Sequence, residues 1–401
     1  MKYSLNQQNK YIVPLFCGLV FIAASVLCLW SGNKLKYADE LVYTQIAKQL
    51  VNSLGYVNNA IQPSALRPPG YPFIISLVYY IHESVLLAKF FNVFALTATA
   101  WLVSLIVKAI SPSGQIFAPL LILAYPLFTY TSSLLYPQIM GGILLVLAIY
   151  WTIKYPKSLV SGLACGVLYG VLILSIPAFA LVFVLLFALM LISNRITSFY
   201  SNRFLSMFMI ATVLLVSLWI IRCSLLFDRF VFISTNSGIN LLYGNSENTG
   251  YNTGVVDISQ YSDTNGLNEA ELDSYYKKCA KEWVVNHPVD ATKLYLLKTA
   301  NYFNFKNKLS TKSEESLFKD ILMGVTYYPL LITVIIRCIL WRKYEFSWSE
   351  LLLYLLYFGN AFLSAVVYTR IRYRIPFDFL LVAMVAIFIG HIRDYRSRRT
   401  E

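Results

Sequence analysis

Residues 11–30 read YIVPLFCGLVFIAASVLCLW, an unbroken apolar run between Lys10 and the polar Ser31-Gly32-Asn33. At 1.5 Å per residue, about 20 helical residues cross a hydrocarbon layer of about 30 Å. A signal-peptide core is shorter and is followed by a small-x-small cleavage site, so this run reads as a membrane anchor. The same signature recurs over 84–107, 114–132, 136–153, 158–174, 176–193, 204–222, 319–340, 349–368 and 375–391. Pro177 divides the stretch 158–193 into two helices joined by a tight turn. The reading is an all-α polytopic membrane protein of about ten transmembrane helices with a small mixed extracytoplasmic insert.

Composition agrees. The 401-residue chain is 58% hydrophobic and 13% charged, where a soluble domain carries about 25% charged residues. Aromatics reach 16%, as interfacial belts of Tyr and Trp require. The net charge of +13 would suggest nucleic acid in a soluble chain. Here the basic residues sit in loops that meet anionic headgroups, and no nucleic-acid partner is expected. The six cysteines show neither C-x-x-C spacing nor His partners, which argues against a zinc site. Cys17, Cys28, Cys165 and Cys338 fall in apolar runs as small hydrophobes. Cys223 and Cys279 share one outer segment, where a bridge stays open.

Orientation follows from Lys and Arg. With the N-terminus inside, the cytoplasmic segments hold Lys2, Lys10, Lys108, Lys154, Lys157, Arg195, Arg203, Arg337, Arg342, Lys343, Arg393, Arg396, Arg398 and Arg399. The short outer loops at 131–137 and 174–177 hold none, which satisfies the positive-inside rule. Residues 1–222 then carry seven spans and an outer loop, 31–83, with interfacial helices. Residues 223–318 form the insert, and 319–401 carry three spans and a basic cytoplasmic tail. Within the insert, Ala270–Asn286 reads as a helix, and Pro288 opens another that runs to about Phe305. Arg229–Thr235 is β-branched and aromatic, which suits a short strand.

The polar motifs cluster outside. Tyr37-Ala38-Asp39-Glu40 follows the first span, and Val42, Ile46, Leu50 and Leu54 then recur every four residues. That spacing describes an amphipathic helix lying on the membrane surface. Asp39 and Glu40 at its start suit an N-cap and the helix dipole. They equally suit a general base held at the bilayer surface, with Glu40 tuning Asp39 or positioning a metal. Leu66-Arg67-Pro68-Pro69-Gly70-Tyr71-Pro72 is a stiff turn that fixes Arg67 and Tyr71 ahead of Phe73–Ile81, a stretch too short to span. Gly238-Ile239-Asn240-Leu241-Leu242-Tyr243-Gly244-Asn245 offers the side chains of Asn240, Tyr243 and Asn245 to sugar hydroxyls. Arg370-Ile371-Arg372-Tyr373-Arg374 lies in a short outer turn, where positive-inside reasoning disfavours three arginines. A bound lipid phosphate accounts for them, because arginine grips phosphate with a planar fork.

Taken in order, these four motifs resemble the glycosyltransferase-C superfamily. The nearest branch includes protein mannosyltransferases and the lipid A aminoarabinose transferase (glycosyltransferase family 39). The resemblance covers nearly the whole chain. It implies a sugar donor carried on a polyprenyl phosphate, a site facing away from the cytoplasm in a cell-envelope membrane, and inversion at the sugar carbon. Asp39 matches the catalytic acid of the family, and Arg67 the base that contacts the donor phosphate. The acceptor is a glycan, a lipid or a protein, and a divalent metal is left open. Leu66 stands where aminoarabinose relatives often have an acid. Tyr136-Pro137-Gln138 lacks the second acid of many relatives, and Ser175-Ile176-Pro177 lacks their basic residue. The alternatives are a secondary transporter and a lipid flippase. Transporters place ionisable groups within spans and repeat them in inverted halves, whereas the acids here gather in loops.

Overall fold

The computed structural model describes residues 2–58, 60–261, 264, 266–306 and 316–400, with side chains from Tyr11 to Arg399. Residues 307–315 of the expected insert, and the side chains of Lys2 and Lys10, lie outside the described residues. The helices run α1 (Lys2–Ser31), α2 (Ala38–Val51), α3 (Gly70–Ile81), α4 (Val85–Ile110), α5 (Phe117–Leu123), α6 (Pro126–Ser132), α7 (Pro137–Lys154) and α8 (Leu159–Ser175). They continue as α9 (Phe179–Thr197), α10 (Asn202–Phe227), α11 (Ser237–Gly244), α12 (Glu269–Asn286), α13 (Pro288–Asn301), α14 (Leu317–Ile339), α15 (Trp348–Ala365) and α16 (Ile371–Thr400).

All ten expected spans are helical. Helices α1, α4, α7, α9, α10, α14 and α16 are long and apolar enough to cross a membrane. The run 114–132 is not one straight helix. It breaks between α5 and α6 with a 60° bend, because Pro126 starts α6 and supplies no backbone donor to the turn before it. Helix α8 is a shorter apolar helix of 17 residues. Helix α15 carries Glu350 and Asn360 among its buried residues, and these dilute its apolar character.

Helix α16 forms the core. Every residue from Phe377 to Ile387 is buried, as a helix apolar on all sides must be. Helices α4, α7, α14 and α15 pack around it. Helices α8 and α10 share an extensive interface, and the sequence of α8 explains it. Gly162, Gly166 and Gly170 recur every four residues on one face. A Cβ there would sit 2.5 Å from the Phe204 carbonyl oxygen, 2.7 Å from the Phe208 oxygen and 2.8 Å from Leu215. Such small-residue stripes let membrane helices meet at the backbone, and Thr212 Oγ1 then donates to the Gly166 carbonyl at 3.1 Å.

The insert corrects one expectation. Its described part is helical, built on α11, α12 and α13, with Asn268 capping α12 through the Ala270 and Glu271 amides. Residues 229–235 form no strand. Ile233 takes a φ of 65°, which a β-branched residue adopts only under constraint and an extended strand cannot hold. Its carbonyl accepts from Trp219 Nε1 at 2.8 Å. The six cysteines are free; Cys223 is buried against Ala65, Val231 and Ala270.

The surface helix also differs. Helix α2 buries Glu40, Tyr43, Thr44 and Ala47, a stripe at i, i+3, i+4 and i+7. Of the expected apolar stripe only Ile46 is buried, while Val42 and Leu50 are half-exposed. The inward face of α2 is therefore partly polar.

Candidate active site around Asp39

Three distant stretches meet at one carboxylate. Arg67 Nη2 reaches Asp39 Oδ1 at 2.6 Å, and Arg372 Nη1 reaches Asp39 Oδ2 at 3.1 Å. Asp39 lies in the first turn of α2, Arg67 in the Pro-Pro-Gly turn and Arg372 in the first turn of α16. The cluster is accessible: the side chains of Asp39, Arg67 and Arg372 are 20%, 23% and 33% exposed. Each guanidinium nevertheless keeps a buried Nε without a partner. Burial holds the neighbouring phenols neutral. It pushes Tyr43 up to about 12 and raises Tyr136 as well, with the charge of Asp39 adding to both.

The turn that presents Arg67 is pinned from three sides. Tyr56 donates its hydroxyl to the Arg67 carbonyl at 2.8 Å. Arg222 of α10 donates to the Ser64 and Tyr56 carbonyls at 2.7 and 3.2 Å, with its guanidinium over the Trp219 ring. Glu269, at the start of α12, accepts from Ser64 Oγ, the Ala65 amide and Thr235 Oγ1 at 2.7, 3.0 and 3.2 Å. Prolines 68 and 69 stiffen what these bonds hold.

Four residues expected at the site are buried and hydrogen-bonded within the protein. Glu40 is fully buried; its carboxylate accepts from the Lys36, Tyr37 and Leu135 amides at 2.7, 3.0 and 2.7 Å. Tyr71 is also buried, with its hydroxyl accepting from Asn92 Nδ2 at 3.1 Å and its ring edge-to-face with Tyr43. Asn245 donates to the Leu241 and Val366 carbonyls, both at 3.0 Å, and accepts from Lys298 at 3.1 Å. Arg374 is sealed. It pairs with Asp378 at 3.0 Å, donates to the Tyr302 and Asn304 carbonyls at 2.8 Å each, and stacks on Tyr327.

The other expected residues stay nearer solvent. Asn240 and Tyr243 are half-buried on α11. Arg370 is half-buried against the insert: a Cβ at residue 254 would lie 2.2 Å from its guanidinium carbon, so Gly254 permits the contact. Its Nε is buried and unpartnered.

Sequence reasoning missed the buried cations and acids that build this frame. Lys89 is fully buried and ties α4 to the end of α1 through Ser31 Oγ and the Gly32 and Lys34 carbonyls. Lys89, Arg222 and Asp378 each interrupt an apolar run, which is the available signal. The spacing Arg374-x-x-x-Asp378 also marks an i,i+4 pair.

No preformed metal cluster stands at these residues. Asp39 is engaged by two cations and Glu40 by three amides, and no group of three His, Cys, Asp or Glu side chains converges among the described residues.

The architecture and this site define an all-α, multi-pass membrane protein with its polar cluster at one end of the bundle. Comparison with solved structures sharpens that class. The chain is similar to the archaeal oligosaccharyltransferase AglB from Archaeoglobus fulgidus in complex with an inhibitory peptide and a dolichol-phosphate. The TM-score is 0.55 at 13% identity, over 98% of this chain and 52% of that one. The Archaeoglobus fulgidus oligosaccharyltransferase in complex with Zn and sulfate gives 0.57 at 14% identity, over 95% of this chain and 50% of that one. ArnT from Cupriavidus metallidurans bound to undecaprenyl phosphate gives 0.44 at 12%, over 94% of this chain and 78% of that one. The chain thus spans about half the length of the oligosaccharyltransferases it matches and shares their fold over that length. No family model and no curated protein sequence matches it.

Proposed function

We propose that the chain is a membrane glycosyltransferase that moves a sugar from a polyprenyl-phosphate donor to an acceptor hydroxyl on a glycan, lipid or protein. The carrying observation is the double bridge from Asp39 to Arg67 and Arg372. It sets a carboxylate beside two permanent cations in a half-exposed cluster.

The acceptor hydroxyl gives its proton to Asp39 as its oxygen attacks the anomeric carbon. The bond from that carbon to the phosphate oxygen breaks on the opposite face, and its electron pair leaves with the polyprenyl phosphate. Configuration inverts. Charge grows on the departing phosphate, and Arg67 and Arg372 stabilise it there. Their buried Nε donors support this, since an unmet buried donor costs about 1–3 kcal/mol and a phosphate oxygen would satisfy it. Arg370 adds a third cation from the same turn. Dolichol-phosphate in the oligosaccharyltransferase neighbour is the same ligand chemistry. A neighbour holds Zn; no step here is routed through a metal.

The site faces the extracytoplasmic side of a bacterial plasma membrane in this reading. Lys108, Lys154, Lys157, Arg195, Arg203, Arg342 and Lys343 lie at or beyond the opposite helix ends, as the positive-inside rule asks of the cytoplasmic face. The insert, 223–318, selects the acceptor, with Asn240 and Tyr243 at its edge.

Asp39→Asn is the direct test. It removes the base and keeps the size of the side chain. Transfer from a polyprenyl-phosphate sugar in proteoliposomes should fall by about 10²- to 10⁴-fold with the melting temperature kept. Full transfer by the folded variant refutes the assignment. Ion-coupled flux in the same vesicles, without sugar transfer, would instead favour a transporter.

A further inference from the structure

The hydrogen bonds at Asp39 continue into the insert. Arg372 places Nη1 on Asp39 and Nη2 on the Tyr373 hydroxyl at 3.0 Å. Tyr373 donates to the Tyr368 hydroxyl at 3.0 Å, and Tyr368 donates to Asn240 Oδ1 on α11 at 3.0 Å. The two rings meet edge-to-face with centroids 5.6 Å apart, and the guanidinium of Arg372 lies over the Tyr373 ring.

The direction of this chain is fixed by chemistry. A guanidinium has donors only, so Tyr373 must accept from it and direct its own proton onward. Tyr368 does the same in turn, and the last group must be an acceptor. The Asn240 amide therefore turns its oxygen toward Tyr368, which leaves Nδ2 on the other side as a donor. Asn240 is half-buried, so that donor remains within reach of a ligand oxygen. The turn that carries Tyr368 is itself braced by Lys298 on the Val367 carbonyl and by Asn301 on Thr369.

We propose that Tyr373 and Tyr368 are positioning residues that couple the grip of Arg372 on a lipid phosphate to α11. There they hold Asn240 Nδ2 as a donor for an oxygen of the acceptor. The proposal rests on the transferase reading and adds to it how the donor and acceptor halves of the site are linked.

The test uses the full chain in lipid nanodiscs with undecaprenyl phosphate as probe, read by binding and by amide exchange over 237–244. Tyr373→Phe removes the acceptor beside Arg372 and should weaken binding by about 5- to 10-fold. Tyr368→Phe and Asn240→Leu break later links and should each weaken it by about 2- to 3-fold. Asn240→Asp keeps an oxygen toward Tyr368 and should weaken binding less than Asn240→Leu does. Probe binding should slow exchange over 237–244 in the natural chain and in Asn240→Asp, but not in Tyr368→Phe. Each variant is read only at an unchanged melting temperature, and the two Asn240 variants carry the test if either tyrosine variant fails to fold. The relay is overturned if Asn240→Asp weakens binding as much as Asn240→Leu, or if Tyr368→Phe keeps the slowed exchange. A natural chain that binds the probe without saturation overturns the transferase reading itself, a result distinct from either.

Discussion

Arg372 and Arg374 stand two residues apart on α16 and have opposite environments. Arg372 is 33% exposed and shares Asp39 with Arg67. Arg374 and its partner Asp378 are 0% exposed and ringed by Tyr125, Tyr302, Tyr327 and Tyr357. Two residues turn a helix by about 200°, so one guanidinium faces the polar cluster and the other faces the core. The difference separates a charge available to a ligand from one that holds the fold. Arg374 also reaches the Tyr302 and Asn304 carbonyls, so the sealed pair fixes the end of the insert on α16. That anchoring is what aims Arg372 at Asp39.

The largest effect on stability should come from the sealed member. Arg374→Gln leaves Asp378 buried without its cation, a change that costs about 3–5 kcal/mol. Thermal unfolding in detergent should show a large loss, and transfer should vanish with the folded protein. Arg372→Gln should do the reverse. Its melting temperature should stay near that of the natural chain, because a half-exposed ion pair contributes little. Transfer should fall by about 10- to 100-fold as one charge-assisted contact to the leaving phosphate is lost. If Arg374→Gln melts normally, or Arg372→Gln unfolds, the division between the two arginines is wrong.

The same contrast shows what could be read from sequence. The ten spans were accessible because apolar length is a property of composition alone. The bend at Pro126 and the glycine stripe on α8 were equally present in the letters, as a proline inside a run and as a four-residue repeat. The division of the three arginines was not. It depends on α16 starting at Ile371, and a helix start displaced by one residue would turn each side chain by about 100°. Asp39 and Arg67 were identifiable as a charged pair flanking one loop, but their contact depends on Tyr56, Arg222 and Glu269, which come from three separate segments. Glu40 shows the same dependence on distant segments. An acid in the first turn of a helix can serve a substrate or the backbone, and here the buried amide of Leu135, 95 residues away, decides for the backbone.

The smallest effect tests whether the sealed class extends into the insert. Lys298 on α13 is 1% exposed and donates to the Gly244 and Val367 carbonyls and to Asn245 Oδ1. Burial pulls its amine down from 10.5 to about 8. A base with a lowered folded pKa binds fewer protons folded than unfolded once the pH passes that value, so stability rises with pH. Below about 8 both states hold the proton and the penalty of the buried charge is constant; it is relieved between about 8 and 10.5. The gain at pH 8 is only a few tenths of a kcal/mol and steepens above it. Melting temperatures of the natural chain, less those of Lys298→Met at each pH, should climb across that window. A difference that stays flat would mean that the three oxygens hold the ammonium charged throughout, and Lys298 would then stand with Arg374 as a permanent buried cation.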